Sequence, residues 1–468
     1  MTVLLYSEAL FSDLTGRLDA SFFEKKFIDI RKNISEWPRL EVYAKAIVCG
    51  PFGSNLLNEN YVEHGIPMIR PFNLRKARVD SGEVALLNES FVKDAGLKIF
   101  RHGTVMFARV GEIGAGVSLY EKSTISPNII AAELLDTLNP YFLSIFANTK
   151  FGRIQLEAGI KAVAQPTIST DSIRALRVPR VSSAFQLKIA ETFNNAALTQ
   201  NESISLLTAA EKMLIQSLGL EKWQTPEPLS YIRHSSEAFA AGRLDAEYFH
   251  PSKATALILL REISDVTVGD LFTSVRELWK PDDGPLNNCV RNYDLSDALS
   301  PFLDGGKSPV ERSEIASTKK ILRKGDLVVS RLRSYLREIA IVEPSYDYPM
   351  VASTEYIVLR QRTGTEMPVE ALLIYLRSLL PQLVFKWSQD GSNHPRFDEK
   401  ELLRLPVPRA LINDSIPYVT AMQKMKSAKQ RATQLLDAAK RAVEIAIEDS
   451  EEAALQYLAA FTKGDAAA

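Results

Sequence analysis

A chain of 468 residues, 46% apolar, 24% charged and 9% aromatic, carries roughly three domains' worth of sequence; its composition excludes the collagen-like, disordered and disulfide-scaffold classes. With 56 Lys and Arg against 57 Asp and Glu the net charge is −1, which excludes a protein that coats nucleic acid indiscriminately and confines any nucleic-acid contact to local patches. Two cysteines far apart, Cys49 and Cys289, supply neither a disulfide framework nor a cysteine-rich metal site and fit a reducing cytoplasm.

The N-terminal segment, Met1-Thr2-Val3-Leu4-Leu5-Tyr6-Ser7-Glu8, lacks the basic start and long apolar stretch of a secretory signal. No apolar run of about 18 residues, the length of a membrane span, occurs, so a soluble cytoplasmic protein with no membrane contact is expected. Gly16-Arg17-Leu18-Asp19-Ala20, followed by Phe22-Phe23, is the first landmark. Gly50-Pro51-Phe52-Gly53-Ser54 opens a region of short β-rich runs separated by Gly, Pro and Asn. Gly65-Ile66-Pro67-Met68-Ile69-Arg70 reads as a strand and leads into Asn73-Leu74. Arg70, Arg75, Lys76 and Arg78 form a basic cluster with no acid between Glu63 and Asp80. Such a cluster suits DNA phosphates, although a charge-blunted strand edge would look the same.

His102-Gly103-Thr104-Val105-Met106-Phe107-Ala108-Arg109 is a strand ending in Arg109. Gly111-Glu112-Ile113-Gly114-Ala115-Gly116 mimics a nucleotide loop but has the wrong order and no phosphate-binding Lys, so it reads as a turn. Asn139-Pro140-Tyr141-Phe142 approaches the Asn-Pro-Pro-Tyr/Phe motif of adenine-N6 methyltransferases. It is one proline short, and no Gly-rich loop for S-adenosylmethionine precedes it. Pro140 instead opens a helix over 141–151. Lys161 and Gln165 lie on the Gly/Pro-framed loop Gly159–Pro166, and Leu176-Arg177-Val178-Pro179 precedes a long helix that starts at Gln186-Leu187-Lys188-Ile189-Ala190. In that helix Ala190, Phe193, Ala197, Gln200, Ile204, Leu207, Glu211, Leu214 and Leu218 follow an alternating 3,4 spacing, and Gly219 is its stop.

The second half repeats these landmarks in order. Gly242-Arg243-Leu244-Asp245-Ala246, followed by Tyr248-Phe249, repeats the first landmark. Leu278-Trp279-Lys280-Pro281 and Asn292-Tyr293-Asp294-Leu295 stand where the first copy has Pro-Phe-Gly-Ser. Lys324-Gly325-Asp326-Leu327-Val328-Val329-Ser330-Arg331 matches the strand that ends in Arg109. Over 319–338, Lys319, Lys320, Arg323, Lys324, Arg331, Arg333 and Arg337 face only Asp326 and Glu338. Arg331 and Arg333, on either side of Leu332, would share one face of a strand. A strand over 355–359 and a helical stretch over 369–387 follow. The polar loop Gly391-Ser392-Asn393-His394-Pro395-Arg396 corresponds to Gly159–Pro166, and Leu405-Pro406-Val407-Pro408 to Leu176–Pro179. The closing helix carries an unbroken heptad seam: Ala421, Met425, Ala428, Ala432, Leu435, Ala439, Ala442 and Ala446. The five histidines, His64, His102, His234, His250 and His394, show no metal-ligand spacing, and there is no Walker motif.

The chain is therefore two copies of one module: β-rich runs, a helical stretch, a Val-Pro landmark and a long helix. The expected class is α/β (mixed α+β). Two such helices, each closing one copy, favour pairing with each other, and small alanines let their backbones approach closely. The whole order, over 16–446, resembles the DNA-specificity (S) subunit of type I restriction-modification enzymes. The residues that carry the resemblance are Gly50–Ser54, Gly65–Arg70, Asn73-Leu74, the strands ending in Arg109 and Arg331, the Val-Pro landmarks and the helix after each.

That resemblance implies a first target-recognition domain over 1–185, a central conserved helix over 186–222, a second target-recognition domain over 223–410 and a C-terminal conserved helix over 411–468. The two helices would pair as an antiparallel coiled coil that holds the domains apart. Each domain would read half of a bipartite site in double-stranded DNA. The candidate DNA contacts are Arg70, Arg75, Lys76, Arg78, Arg109, Lys161, Gln165, Lys319, Lys320, Arg331, Arg333, Arg337, Ser392, Asn393, His394 and Arg396. Methyltransferase (M) subunits, two of them, would grip the helices, whose interface residues would include Phe193, Ile204, Leu207, Leu214, Met425 and Leu435. A translocating restriction (R) subunit joins in some such complexes. The chain would itself be non-catalytic, with no metal and no cofactor of its own, S-adenosylmethionine being used by the methyltransferase. The competing reading is a non-catalytic adaptor with two protein-binding domains on a helical spacer.

Overall fold

The computed structural model describes residues 24–51, 60–75, 77–79, 84–161, 167–282, 288–344 and 347–465. The chain divides into two compact units. The first joins residues up to Asn201 with Ala428–Ala468, and the second is Glu202–Ser427. The repeated motif at Gly16–Ala20 with its Phe22-Phe23 lies outside the described residues, as does the Phe52-Gly53-Ser54 part of the following landmark.

The first unit is built on a six-stranded sheet in the order Ala44–Cys49, Ile129–Leu134, Val105–Ala108, Ala115–Val117, Ala77–Val79, Leu74–Arg75. The second has a four-stranded sheet in the order Phe272–Val275, Tyr356–Gln361, Leu327–Ser330, Ile339–Ile341. The four strands of the second match the first four of the first, all antiparallel. The central strand of each is buried on both faces. Val105 and Phe107 face one apolar core while Met106 faces another, and Leu327 and Val329 are likewise separated from Val328. Two-sided burial explains why these strands read as unbroken apolar runs rather than as alternating ones.

The backbone bonds repeat as closely as the strand order. Gly103 N donates to Ser118 O at 2.9 Å, and Gly325 N donates to Val342 O at 3.0 Å. Leu40 N donates to Leu176 O and Val178 N to Pro38 O; Val268 N donates to Leu405 O and Val407 N to Val266 O. The Val-Pro landmarks thus stitch the end of each module back to its beginning. Each helical stretch is two helices: Pro140–Ala147 with Lys150–Ala158, and Val369–Arg377 with Leu379–Lys386. In the first pair Asn139 caps the start, its side-chain oxygen accepting from Tyr141 N and Phe142 N, with Pro140 in the first turn. The Asn-Pro-Tyr-Phe run is a helix start.

The long helices are Ser183–Ser217 and Ile416–Glu448, the second followed by Glu451–Asp465. Gly219, at φ 68°, ends the first as expected. Within the first unit, Phe185, Ile189, Phe193 and Ala196 share a core with Leu435, Ala439, Ala442 and Val443. Within the second unit, Ala210 and Leu214 share a core with Tyr418, Met422 and Met425. The start of one helix packs on the end of the other in each case, so they run antiparallel.

The seam of the first helix differs from the expected one. Of the expected positions Ala190, Phe193 and Leu214 are buried; Phe185, Gln186, Ile189, Thr192, Ala196, Ser203 and Ala210 are buried with them, and Ile204 is 45% exposed. Ala196, Ser203 and Ala210 take the places that the spacing assigns to Ala197, Ile204 and Glu211. Small side chains at the contact let two helices approach closely, whereas an isoleucine there would hold them apart. The expected seam ranks residues by apolarity, but fit decides. Of the six helix residues singled out, Phe193, Leu214, Met425 and Leu435 are buried in the chain's own cores, Leu207 is half-buried and only Ile204 is exposed. Among the described residues no helix is long and apolar enough to cross a membrane.

Candidate nucleic-acid interface

In both units the central strand delivers its terminal arginine to a second loop. Arg109 O accepts from Ile168 N at 3.0 Å, and Arg331 O accepts from Phe397 N at 3.1 Å. Arg109 N donates to Asn128 O, and Arg331 N to Glu355 O. The segment that follows each polar loop is therefore fastened beside its arginine, Ile168 beside Arg109 and Phe397 beside Arg331, and in the second unit this brings the candidates Arg331 and Arg396 together.

In the second unit the polar loop is a tight hairpin. Asp390 N donates to Arg396 O at 2.8 Å and Arg396 N returns to Asp390 O at 2.9 Å. Gly391 at φ 98° makes the turn. Ser392, Asn393 and His394 are exposed at its tip. Arg333 N donates to Pro395 O at 2.9 Å, and the Arg333 guanidinium meets His394 Nδ1 at 3.4 Å.

The basic stretch over 319–338 is much less available than its composition suggests. Lys319 is nearly buried and lies 3.8 Å from Asp294. Lys320 donates to Tyr356 O at 2.6 Å, and burial pulls its pKa down. Arg323 pairs with Glu277 at 3.0 Å, and Arg337 with Glu211 at 3.6 Å. Arg331 and Arg396 share one carboxylate, that of Glu355, at 3.0 and 2.8 Å. The Arg396 hydrogen bond, opposed by burial and helped by the Arg331 bond and charge, holds the Glu355 carboxyl down at about 2.

Arg331 and Arg333 do not share a strand face. The strand ends at Ser330, and Arg333 takes the left-handed conformation at φ 49°, which breaks the two-residue alternation a strand face requires. Glu355, Glu211, Glu277 and Asp294 are residues that sequence reasoning missed. Each pairs with a cation distant in sequence, so no local pattern announces it. The one available signal was that Glu355 is the second copy's counterpart of Asn128.

In the first unit Arg109 is half-buried and its guanidinium reaches Cys49 Sγ at 3.9 Å. Arg70 is half-buried against the Phe72 ring, 4.4 Å from its centroid. Arg78 is half-buried on a strand paired with Leu74–Arg75. Lys76 and Gln165 lie outside the described residues, as do the side chains of Arg75 and Lys161. Among the described residues there is no group of three or more His, Cys, Asp or Glu that could hold a metal ion.

No family model matches the chain, and no curated protein matches it. Among solved structures the chain is similar to the type I restriction-modification system S subunit from M. genitalium, at 14% identity over 86% of this chain and 94% of that one, with a TM-score of 0.36. It is also similar to the HsdS subunit from Thermoanaerobacter tengcongensis, at 14% identity over 87% of this chain and 96% of that one, with a TM-score of 0.28.

Proposed function

We propose that the chain is the DNA-specificity subunit of a type I restriction-modification or related methylation-based defence complex. Each unit reads one half of a bipartite duplex site, and the two copies give two methyltransferase subunits equivalent places to bind. A restriction subunit joins in complexes that cleave. The observation that carries this reading is the duplicated loop pair. Both copies keep one backbone framework around Arg109 and Arg331, yet they differ in the side chains on it. A common frame with different presented residues is what reading two different half-sites requires. Exposed Ser, Asn, His and Arg on such loops have the donors and acceptors for phosphates and base edges. Catalysis belongs to the partner that uses S-adenosylmethionine.

Footprinting of the chain with its methyltransferase should give two short protected blocks separated by a gap. A single block, or none, would refute the bipartite reading, and an adaptor for proteins would protect no DNA. The purified chain alone should transfer no methyl group from S-adenosylmethionine. Replacing Arg331 and Arg333 together by Ala should weaken DNA binding and lower the salt slope by roughly 0.9, the share of Arg333, because Arg331 is engaged by Glu355. An unchanged affinity and slope would return both residues to the solvated surface.

A further inference from the structure

The turn after the strand Leu327–Ser330 is strained. Arg333 and Arg337 sit in the left-handed region at φ 49° and 51°, which side chains other than glycine, Asn and Asp seldom adopt. Between them Ser334–Leu336 make a single 3-10 turn. The Ser334 hydroxyl is buried with no hydrogen-bond partner among the described residues. Tyr335 lies at the middle of this turn and is 63% exposed.

Strain of this kind persists only where the surroundings impose it, and it gathers at functional sites. Here the surroundings are explicit. Arg377, nearly buried, donates from Nη1 to the Arg337 carbonyl oxygen at 2.9 Å. Glu211 holds Arg377 at 3.3 Å and reaches the Arg337 guanidinium at 3.6 Å. On the other side, Arg333 N is tied to the polar hairpin through Pro395 O. The turn is thus clamped at both ends, and what it presents to solvent is an aromatic ring. The fold does not need that ring. The corresponding segment after Arg109, Val110-Gly111-Glu112-Ile113, carries no aromatic and gives its left-handed position to Gly111, at φ 79°.

We propose that Tyr335 is a stacking contact to a base of the bound duplex, with Arg333 beside it on the phosphates; this rests on the DNA-reading function above. An aromatic ring carried on a clamped backbone turn has only its own side-chain torsions to lose on binding. Stacking on a base partly opened at a flexible step adds affinity that salt does not screen. Arg377 and Glu211 are positioning residues that keep the turn in place.

The test uses the full chain with its methyltransferase and a duplex carrying the site found by footprinting. Tyr335→Ala should weaken binding on the order of tenfold or more, the scale of removing a base stack, without changing the salt slope. Tyr335→Phe should stay within about twofold of the parent, because the ring rather than the hydroxyl makes a stack. Arg333→Ala should lower the salt slope by about 0.9. Tyr335 is exposed, so its replacement leaves the core untouched, and a thermal melt checks this. Parent-like affinity in Tyr335→Ala overturns the proposal. So does a Tyr335→Phe variant as weak as Tyr335→Ala, which would mark a hydrogen bond from the hydroxyl. Loss of methyltransferase assembly with DNA affinity intact would mark a protein contact and overturn it too. If the parent complex protects no DNA, the DNA reading falls, and this proposal with it.

Discussion

The two units share a frame and differ in how they treat charge. At the end of the central strand, the first has Arg109 bonded through its backbone to Asn128 and Ile168, and the second has Arg331 bonded to Glu355 and Phe397. The bonds are the same, but the side chains are not. Asn128 brings no charge. Glu355 brings a carboxylate that engages two guanidinium groups at once. The second unit also has the Glu211–Arg377 pair under its turn, and Glu277 and Asp326 around Arg360. The comparison shows that the duplicated part is the main-chain scaffold, while the presented loops have been re-wired by long-range ion pairs. A count of basic residues in sequence therefore overstates what the second unit can offer to phosphates.

The most disruptive test removes the buried ion-pair support under the second unit's turn. Arg377→Ala deletes a nearly buried guanidinium and leaves Glu211 and the Arg337 carbonyl without it. Burial lowers the Arg377 pKa and Glu211 raises it, so the charge is tolerated there because of its partner. Breaking a buried pair from one side costs about 3–5 kcal/mol where the remaining charge is left alone; Glu211 keeps Arg337 at 3.6 Å, so the loss should lie at the lower end, about 3 kcal/mol. The loss should appear in the second unit, read by hydrogen exchange over 202–427, with the first unit's exchange unchanged. Equal loosening of both units would mean that the support is not local.

A matched pair of substitutions tests the shared frame. Gly103 and Gly325 sit at φ 85° and 84°, each just before its central strand. A Cβ on Gly103 would meet only Pro140 Cγ at 3.6 Å, and one on Gly325 would meet nothing within 4 Å. Space is therefore not the constraint; the left-handed backbone is. Gly103→Ala and Gly325→Ala should each cost roughly 1–2 kcal/mol, equal within experimental error, in their own units. A large inequality between the two would break the claim that the frames are equivalent.

Much of this frame was legible in the sequence. The turn glycines, the strands before Arg109 and Arg331, the Val-Pro landmarks and the pairing of the two long helices all rest on local pattern or on repetition; the antiparallel sense of that pairing came from the resemblance. What was not legible depends on partners. Ile204 looks like a seam residue because it is apolar at the right spacing, but Ser203 and Ala210 fit where it would not. Arg331 and Arg333 look like neighbours on one face only if the strand continues past Ser330. Lys319, Arg323 and Arg337 look free because Asp294, Glu277 and Glu211 lie far off in the chain. Register and ion pairing are decided by which surfaces meet, and a single sequence states that only where it repeats itself.

The smallest change in stability and the sharpest test of the comparison come from Glu355→Gln, which gives the second unit a neutral residue where the first has Asn128. Glu355 is held at about 2, below the usual carboxylate range. A depressed carboxyl contributes stability that is present above its unfolded pKa and fades as pH falls through its folded one. For the parent the ion pairs therefore persist from neutral pH down to below about 4.5, the ordinary range of a glutamate, and fail only toward about 2. Arg331 and Arg396 are both partly exposed, so the stability change in the variant should be small. DNA binding should respond more. With the carboxylate gone, both guanidinium groups can turn to phosphates. Affinity for non-cognate duplex should rise, and the salt slope should steepen by up to roughly 0.9 for each arginine released. Discrimination between cognate and non-cognate DNA should fall in the half-site read by the second unit, and the other half-site should keep its parent preference. That asymmetry is measurable as relaxed methylation at one half of the recognition sequence. If Glu355→Gln leaves salt slope and discrimination unchanged, Glu355 is only a structural tie, and the two units differ in composition without differing in how they hold their arginines for DNA.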